Sequence, residues 1–193
     1  MNRSRWLLPA AVLAAVLQIG FLSWVIQGRA AILRDGTEVF LKVEPVDPRD
    51  LLRGDYVRLG YNISSVSLAL FEPALREEDH ARQLSVVIRV AAGEGGIWEV
   101  RGARLASAPA VQLGADEVEI AAVMPYGFSQ GSESARVDYG IERFYLPEGE
   151  GLEIERDMNT RSFFMKVAVG PSGTAQIKAF FDGDRQLYAE PLY

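Results

Sequence analysis

Read from its N-terminus, the chain opens on one unbroken apolar stretch and then changes period. From Trp6 to Ile26 no residue carries a charge and most are apolar. At a helical rise of about 1.5 Å per residue this stretch reaches about 31 Å, enough to cross a hydrocarbon layer of about 30 Å. The pattern predicts a membrane-spanning helix that continues to about Leu33. From Glu38 onward the apolar positions fall into short runs of β-branched and aromatic residues divided by Gly, Pro, Asp and Ser, which is the pattern of strands. Val39 to Val43 is the first run. From Tyr56 to Ile63 the apolar Val57, Leu59, Tyr61 and Ile63 alternate with Tyr56, Arg58, Gly60 and Asn62, so one face is expected to be buried and the other wet. Leu84 to Val90, Ile97 to Leu105, Val118 to Met124, Arg136 to Tyr139 and Arg143 to Leu146 continue the series.

Turn chemistry organises the C-terminal part. Phe163 to Val169 and Thr174 to Phe181 flank Gly170-Pro171-Ser172-Gly173, and Asp182-Gly183 leads into Gln186 to Glu190, which predicts a three-stranded meander. Helical signal after the first stretch is weak: Ser67 to Leu75 is broken by Pro73, and Gly149 to Met158 lacks a helical stripe. The expected fold is mainly β, with one N-terminal transmembrane helix followed by an antiparallel, barrel-like or sandwich domain. Residues 1 to 33 are read as a cytoplasmic tip and anchor, and residues 34 to 193 as one β-rich domain. A spacer of about five to ten residues between them is expected to keep that domain close to the bilayer.

Charge gives the helix a direction. Arg3 and Arg5 precede the apolar stretch with no acid beside them, so the positive-inside rule places the N-terminus in the cytoplasm and the domain on the other side, periplasmic or extracellular. A cleaved secretory signal is the competing reading, but its apolar core runs only about 7 to 15 residues and Gly28-Arg29-Ala30 is a loose cleavage site. Trp6 and Trp24 at the two ends suit interfacial belts, which favours an uncleaved anchor. Residues 29 to 193 hold 18 Lys and Arg against 26 Asp and Glu, a net charge of −8 that disfavours nucleic acid as a partner. There is no cysteine, hence no disulfide and no thiolate site, and the one histidine, His80, lies among solvated charges and is given no role. No cofactor is expected.

The densest local pattern is Pro45-Val46-Asp47-Pro48-Arg49-Asp50-Leu51-Leu52-Arg53-Gly54-Asp55-Tyr56. Prolines and a glycine restrict the backbone while acids and arginines alternate, an arrangement that suits a salt-bridged, ordered loop. Gly54-Asp55-Tyr56-Val57-Arg58-Leu59-Gly60-Tyr61 then completes the pattern G-D-Y-x-x-L-x-Y. On these residues the chain resembles the GDYXXLXY family of bacterial membrane-anchored proteins, and Arg143-Phe144-Tyr145-Leu146-Pro147-Glu148-Gly149 resembles a second family segment. The resemblance implies a bacterial envelope protein of the inner membrane, in a family that often accompanies polytopic membrane proteins and has no assigned activity. Asp47, Arg49, Asp50, Arg53, Asp55 and Tyr56 are the expected contact loop, with Tyr145 and Glu148 beside it; Gly54, Leu59 and Tyr61 are expected to be structural.

Enzyme readings are weaker. The helix, the Pro- and Gly-Asp-containing loop and Met165 to Gly173 are faintly similar to signal peptidases, which use serine activated by lysine. Val46-Asp47 stands where a serine would be needed, and Lys166 lies on a strand face. Asp47, Asp50, Asp55 and Glu148 supply carboxylates of the kind a hydrolase or hard-metal site uses, but Arg49 and Arg53 already neutralise the first three. The expected function is therefore a non-catalytic accessory or interaction module for another membrane protein, with a small-molecule or peptide-binding domain as the alternative.

Overall fold

The computed structural model describes residues 4–44, 56–80, 82–129, 131–145 and 161–191. Helix α1 (Ser4–Asp35) carries apolar residues all round, and Leu7 to Arg29 are exposed. A helix apolar on every side is at home in a protein core or in lipid, and here no core encloses it. The stretch Leu7–Asp35 is long and apolar enough to cross a membrane, which makes it a candidate anchor.

The helix ends two residues later than its pattern predicts, and the expected spacer is replaced by Gly36 alone. The Gly36 amide still donates to the Ile32 carbonyl at 2.9 Å, and strand β1 (Thr37–Glu44) starts at the next residue. Leu33 is buried, because the last turn of α1 lies on the body and has already entered its apolar surface.

Strands β2 (Tyr56–Arg58), β3 (Gly60–Tyr61), β4 (Ser65–Ser67), β5 (Leu84–Ala92), β6 (Trp98–Leu105), β7 (Glu117–Met124), β8 (Ser134–Arg136), β9 (Arg143–Tyr145), β10 (Phe163–Val169), β11 (Ala175–Asp182) and β12 (Arg185–Ala189) follow. The C-terminal meander forms as its turns predict. The main sheet has the order β12-β11-β10-β1-β3 and is antiparallel throughout, so the first and last segments of the chain build it together. A second sheet, β6-β5-β7, comes from the middle of the chain.

The inner faces of these two sheets share one apolar cluster. Val39, Leu41, Val43, Met165 and Val167 come from the first, and Val86, Ile88, Val90, Ile120 and Met124 from the second. Alternation explains the assignment: in β5 buried Leu84, Val86, Ile88 and Val90 alternate with more open Ser85, Val87, Arg89 and Ala91. The expected antiparallel β fold behind one N-terminal helix is present, and among the described residues the ladders do not close into a barrel. Closure is replaced by a point tie. The Ala121 amide of β7 donates to the Gly173 carbonyl at 2.9 Å in the β10–β11 turn. Gly173 has φ +79°, and a Cβ there would lie 2.9 Å from the Ala121 nitrogen, so the turn needs glycine both for its backbone and for its approach.

The predicted single strand from Tyr56 to Ile63 is broken at Leu59. Its first part pairs with β9, and its second part turns to pair with the end of β1, Val43 opposite Tyr61. The chain changes partner because two different ladders lie on its two sides.

Candidate functional site

The segment 56–67 runs antiparallel to 134–145, paired as two short ladders at its ends that keep one register across an irregular middle. Ser67 faces Ser134, Ser65 faces Arg136, and Tyr56 faces Tyr145. Between these short ladders the Val137 amide donates to the Ser64 carbonyl at 2.9 Å and the Leu59 amide to the Glu142 carbonyl at 2.8 Å. The two stretches that carry the G-D-Y-x-x-L-x-Y pattern and its second segment are thus one irregular ribbon.

A pair of tyrosines fastens it. Tyr61 Oη donates to the Ile141 carbonyl at 2.6 Å, and Tyr139 Oη donates to the Ile63 carbonyl at 2.6 Å. Each ring reaches the carbonyl two residues beyond the other tyrosine. Both rings are buried, and buried hydroxyls need a partner; these use backbone oxygens that the bent ladder leaves free. Burial, and after it the negative Glu142, pushes both phenols well above their ordinary pKa, so they remain neutral donors. Glu142 itself caps the bend, accepting from the amides of Tyr139 and of Gly140, the latter at 2.9 Å. Gly140 has φ +81°, as a glycine at such a bend requires.

Leu59 and Tyr61 are each about 1% exposed and sit in the central cluster with Ile63. Gly60, placed on the wet face by alternation, is also buried, paired beside Glu44 at the end of β1. Asn62 is a further tie that alternation does not reveal. Its Oδ1 accepts from the Lys42 amide at 3.1 Å and its Nδ2 donates to the Trp98 carbonyl at 2.7 Å, joining the main sheet to β6. The only hint in the sequence is a polar residue at the end of an apolar run.

Of the expected contact loop, Asp47, Arg49, Asp50, Arg53 and Asp55 lie outside the described residues, as do Glu148 and the expected structural Gly54. Tyr56 and Tyr145 are brought opposite each other as backbone partners. The loop's described neighbours are Glu44 and Tyr56, and Glu44 is the end of β1 remote from α1, about 25 Å along the strand.

Lys166, the one lysine weighed for catalysis, is engaged elsewhere. Its Nζ is 3.1 Å from Glu38 and 4.9 Å above the Phe40 ring, and Lys178 reaches the same carboxylate at 2.8 Å. The hydrogen bonds from Lys178 and Lys166 hold the Glu38 carboxyl below its ordinary pKa. On the outer face of β5–β7, Arg104 grips Glu119 with two hydrogen bonds of 2.8 and 2.7 Å and donates to the Ala108 carbonyl at 3.1 Å. Arg89 lies flat over Gly102, where a Cβ would stand 2.7 Å from its Nη2. The cleft beside these two arginines, also lined by Leu70, Glu72 and Val111, has a volume of about 20 Å³, room for a water molecule. His80 packs edge-on against Phe128 at 4.1 Å between centroids. Among the described residues no group of three or more His, Cys, Asp or Glu is placed to hold a metal ion.

A family model described as GDYXXLXY protein matches residues 18–180. No curated protein and no solved structure matches the chain.

Proposed function

The chain belongs to the GDYXXLXY protein family, and on that premise we propose a single-pass membrane protein that supports or binds another protein of the same membrane without catalysing a reaction. The N-terminus lies in the cytoplasm of a bacterial cell, behind Arg3 and Arg5, and the β body stands on the periplasmic or outer side of the inner membrane. The observation that carries this reading is α1 itself: an apolar helix exposed from Leu7 to Arg29 and joined to a self-contained β body that buries its own core. Such a helix is stable in lipid and costly in water. The root of the acidic and arginine-rich loop at Glu44, the end of β1 remote from the helix, suits a contact surface held away from the bilayer.

Two measurements test it together. Protease added outside intact spheroplasts should digest a tag placed after Tyr193 and spare one placed before Met1; the opposite pattern overturns the orientation. Mild-detergent purification from the native host should recover a membrane protein that is lost when Arg49, Asp55 and Tyr56 are replaced together by alanine. Recovery unchanged in a folded triple variant removes the loop from the interface.

A further inference from the structure

The junction of α1 with the body is built without slack. Helical hydrogen bonding runs through the Gly36 amide, and Thr37 is already paired with Val169 of β10. Two glycines allow the helix end to settle this closely. At Gly36 a Cβ would collide with the Ile32 carbonyl oxygen and stand 3.0 Å from that of Val169, and at Gly170 a Cβ would stand 2.9 Å from Ile32 Cγ1. The Ile32 side chain therefore occupies the notch that Gly170 leaves, and Leu33 is buried beside it at 8% exposed. Toward the membrane the helix is equally continuous. The apolar run ends at Ile26 and α1 ends at Asp35, so a helical stalk of about 14 Å separates the hydrocarbon boundary from the first strand. The polar headgroup layer on one side of a bilayer is about 5–7 Å thick, so the stalk clears it before the body begins.

From this junction we infer that the spanning helix and the β body move as one rigid piece, which presents the body to a partner anchored in the same bilayer at a set height and a set angle about the helix axis. The inference rests on the membrane-anchor reading and adds to it the kind of partner. A flexible tether lets a domain search for a soluble partner in any direction, and its ordering is a cost charged to binding. A welded stalk removes that cost for one geometry alone. The gain is realised only when the partner is itself held in the plane of the membrane, with its binding surface facing the helix flank. The rigid piece also carries the loop root at Glu44 on the far end of β1, so a turn of the helix about its axis swings that end with it.

The chain has no cysteine, so spin labels can be placed by two substitutions, Gln27→Cys on the stalk and Gln186→Cys on β12. In nanodiscs the full chain should give a narrow distribution of label distances. A Gly-Ser insert of about ten residues after Gly36, whose ends wander over about 17 Å, should broaden it several-fold. Gly170→Leu, which fills the notch under Ile32, should broaden it as well while the body's melting transition persists. A native distribution as wide as that of the insert overturns the rigid piece, whether or not any partner is found. Alanine inserts between Gly28 and Arg29, outside the seated turn, test the angle. Two residues turn the body by about 200° and raise it by about 3 Å, whereas four turn it a net 40° or so and raise it by about 6 Å. Partner recovery should be lost with two and largely return with four. Equal recovery from both, or loss that simply grows with length, overturns the angular claim. Failure of the native chain to recover any membrane partner strikes the accessory-protein reading instead, and the distance measurement still decides rigidity.

Discussion

Tyr61 and Tyr139 each hold the backbone of the other's segment, so removing either hydroxyl strands a buried carbonyl. Tyr61→Phe should destabilise the body by about 1–3 kcal/mol, read as a lower denaturant midpoint, with the ring packing preserved. Combined with Tyr139→Phe the loss should depart from the sum of the two, because both bonds close the same ribbon; strict additivity in a double-mutant cycle would show that they act separately. Asp79 gives a pH signature at the same scale. Its carboxylate is buried, accepts from the Arg76 amide at 3.0 Å and pairs with Arg82 at 2.7 Å. The amide hydrogen bond first, and the Arg82 guanidinium as well, hold its pKa below the ordinary 3.8. A carboxyl with a depressed folded-state pKa stabilises above its unfolded value and loses that contribution as pH falls through the folded one. Asp79→Asn should therefore cost stability at neutral pH and flatten the decline below about pH 4, measured by urea denaturation across that range.

At the scale of elements, β1 carries the most weight because it lies between β10 and β3 and faces the core with Val39, Leu41 and Val43. Leu41→Ala should cost about 2–5 kcal/mol through lost burial and the cavity left behind. Lys42→Ala, one residue along on the exposed face, should stay within about 0.5 kcal/mol in the same thermal or denaturant measurement. The contrast reflects what was legible in the sequence. Runs of β-branched and apolar residues locate β1, β5, β6 and β7, and Gly170 to Gly173 with Asp182-Gly183 marks the C-terminal turns, because both signals are local. Ladder order is not local: nothing near Val39 announces that its partner is Val167. The same limit applies at the candidate site. Leu59 and Tyr61 are readable as buried positions, but the carbonyl that Tyr61 reaches belongs to Ile141, and Asn62 reads as a strand residue until Trp98 is beside it. The helix overruns its expected end for a related reason. Polar Arg34 and Asp35 suggest release into a linker, whereas the packing of Ile32 and Leu33 on the body keeps the last turn helical.

For the whole molecule, the apolar cluster draws on residues from Val39 to Phe180 and takes nothing from the first 28. A chain starting at Arg29 should thus keep its cooperative melting transition and remain in the supernatant after ultracentrifugation, while the full chain sediments with membranes and resists high salt. Recovery of the shortened chain only in the pellet, or without a transition, would show that the helix contributes to the fold beyond its last turn. The layout of the main sheet carries one more consequence, for the order of events in the cell. Thr37 is paired with Val169, so the earliest strand to leave the ribosome waits for a mate made near the end of synthesis. At elongation speeds of about 5–20 residues per second that interval is on the order of ten seconds. Throughout it β1 has an open edge and a bare greasy face. Nascent-chain capture by holding chaperones, and sensitivity to quality-control proteases when translation is slowed before β10, follow from a sheet whose two halves are written at opposite ends of the message.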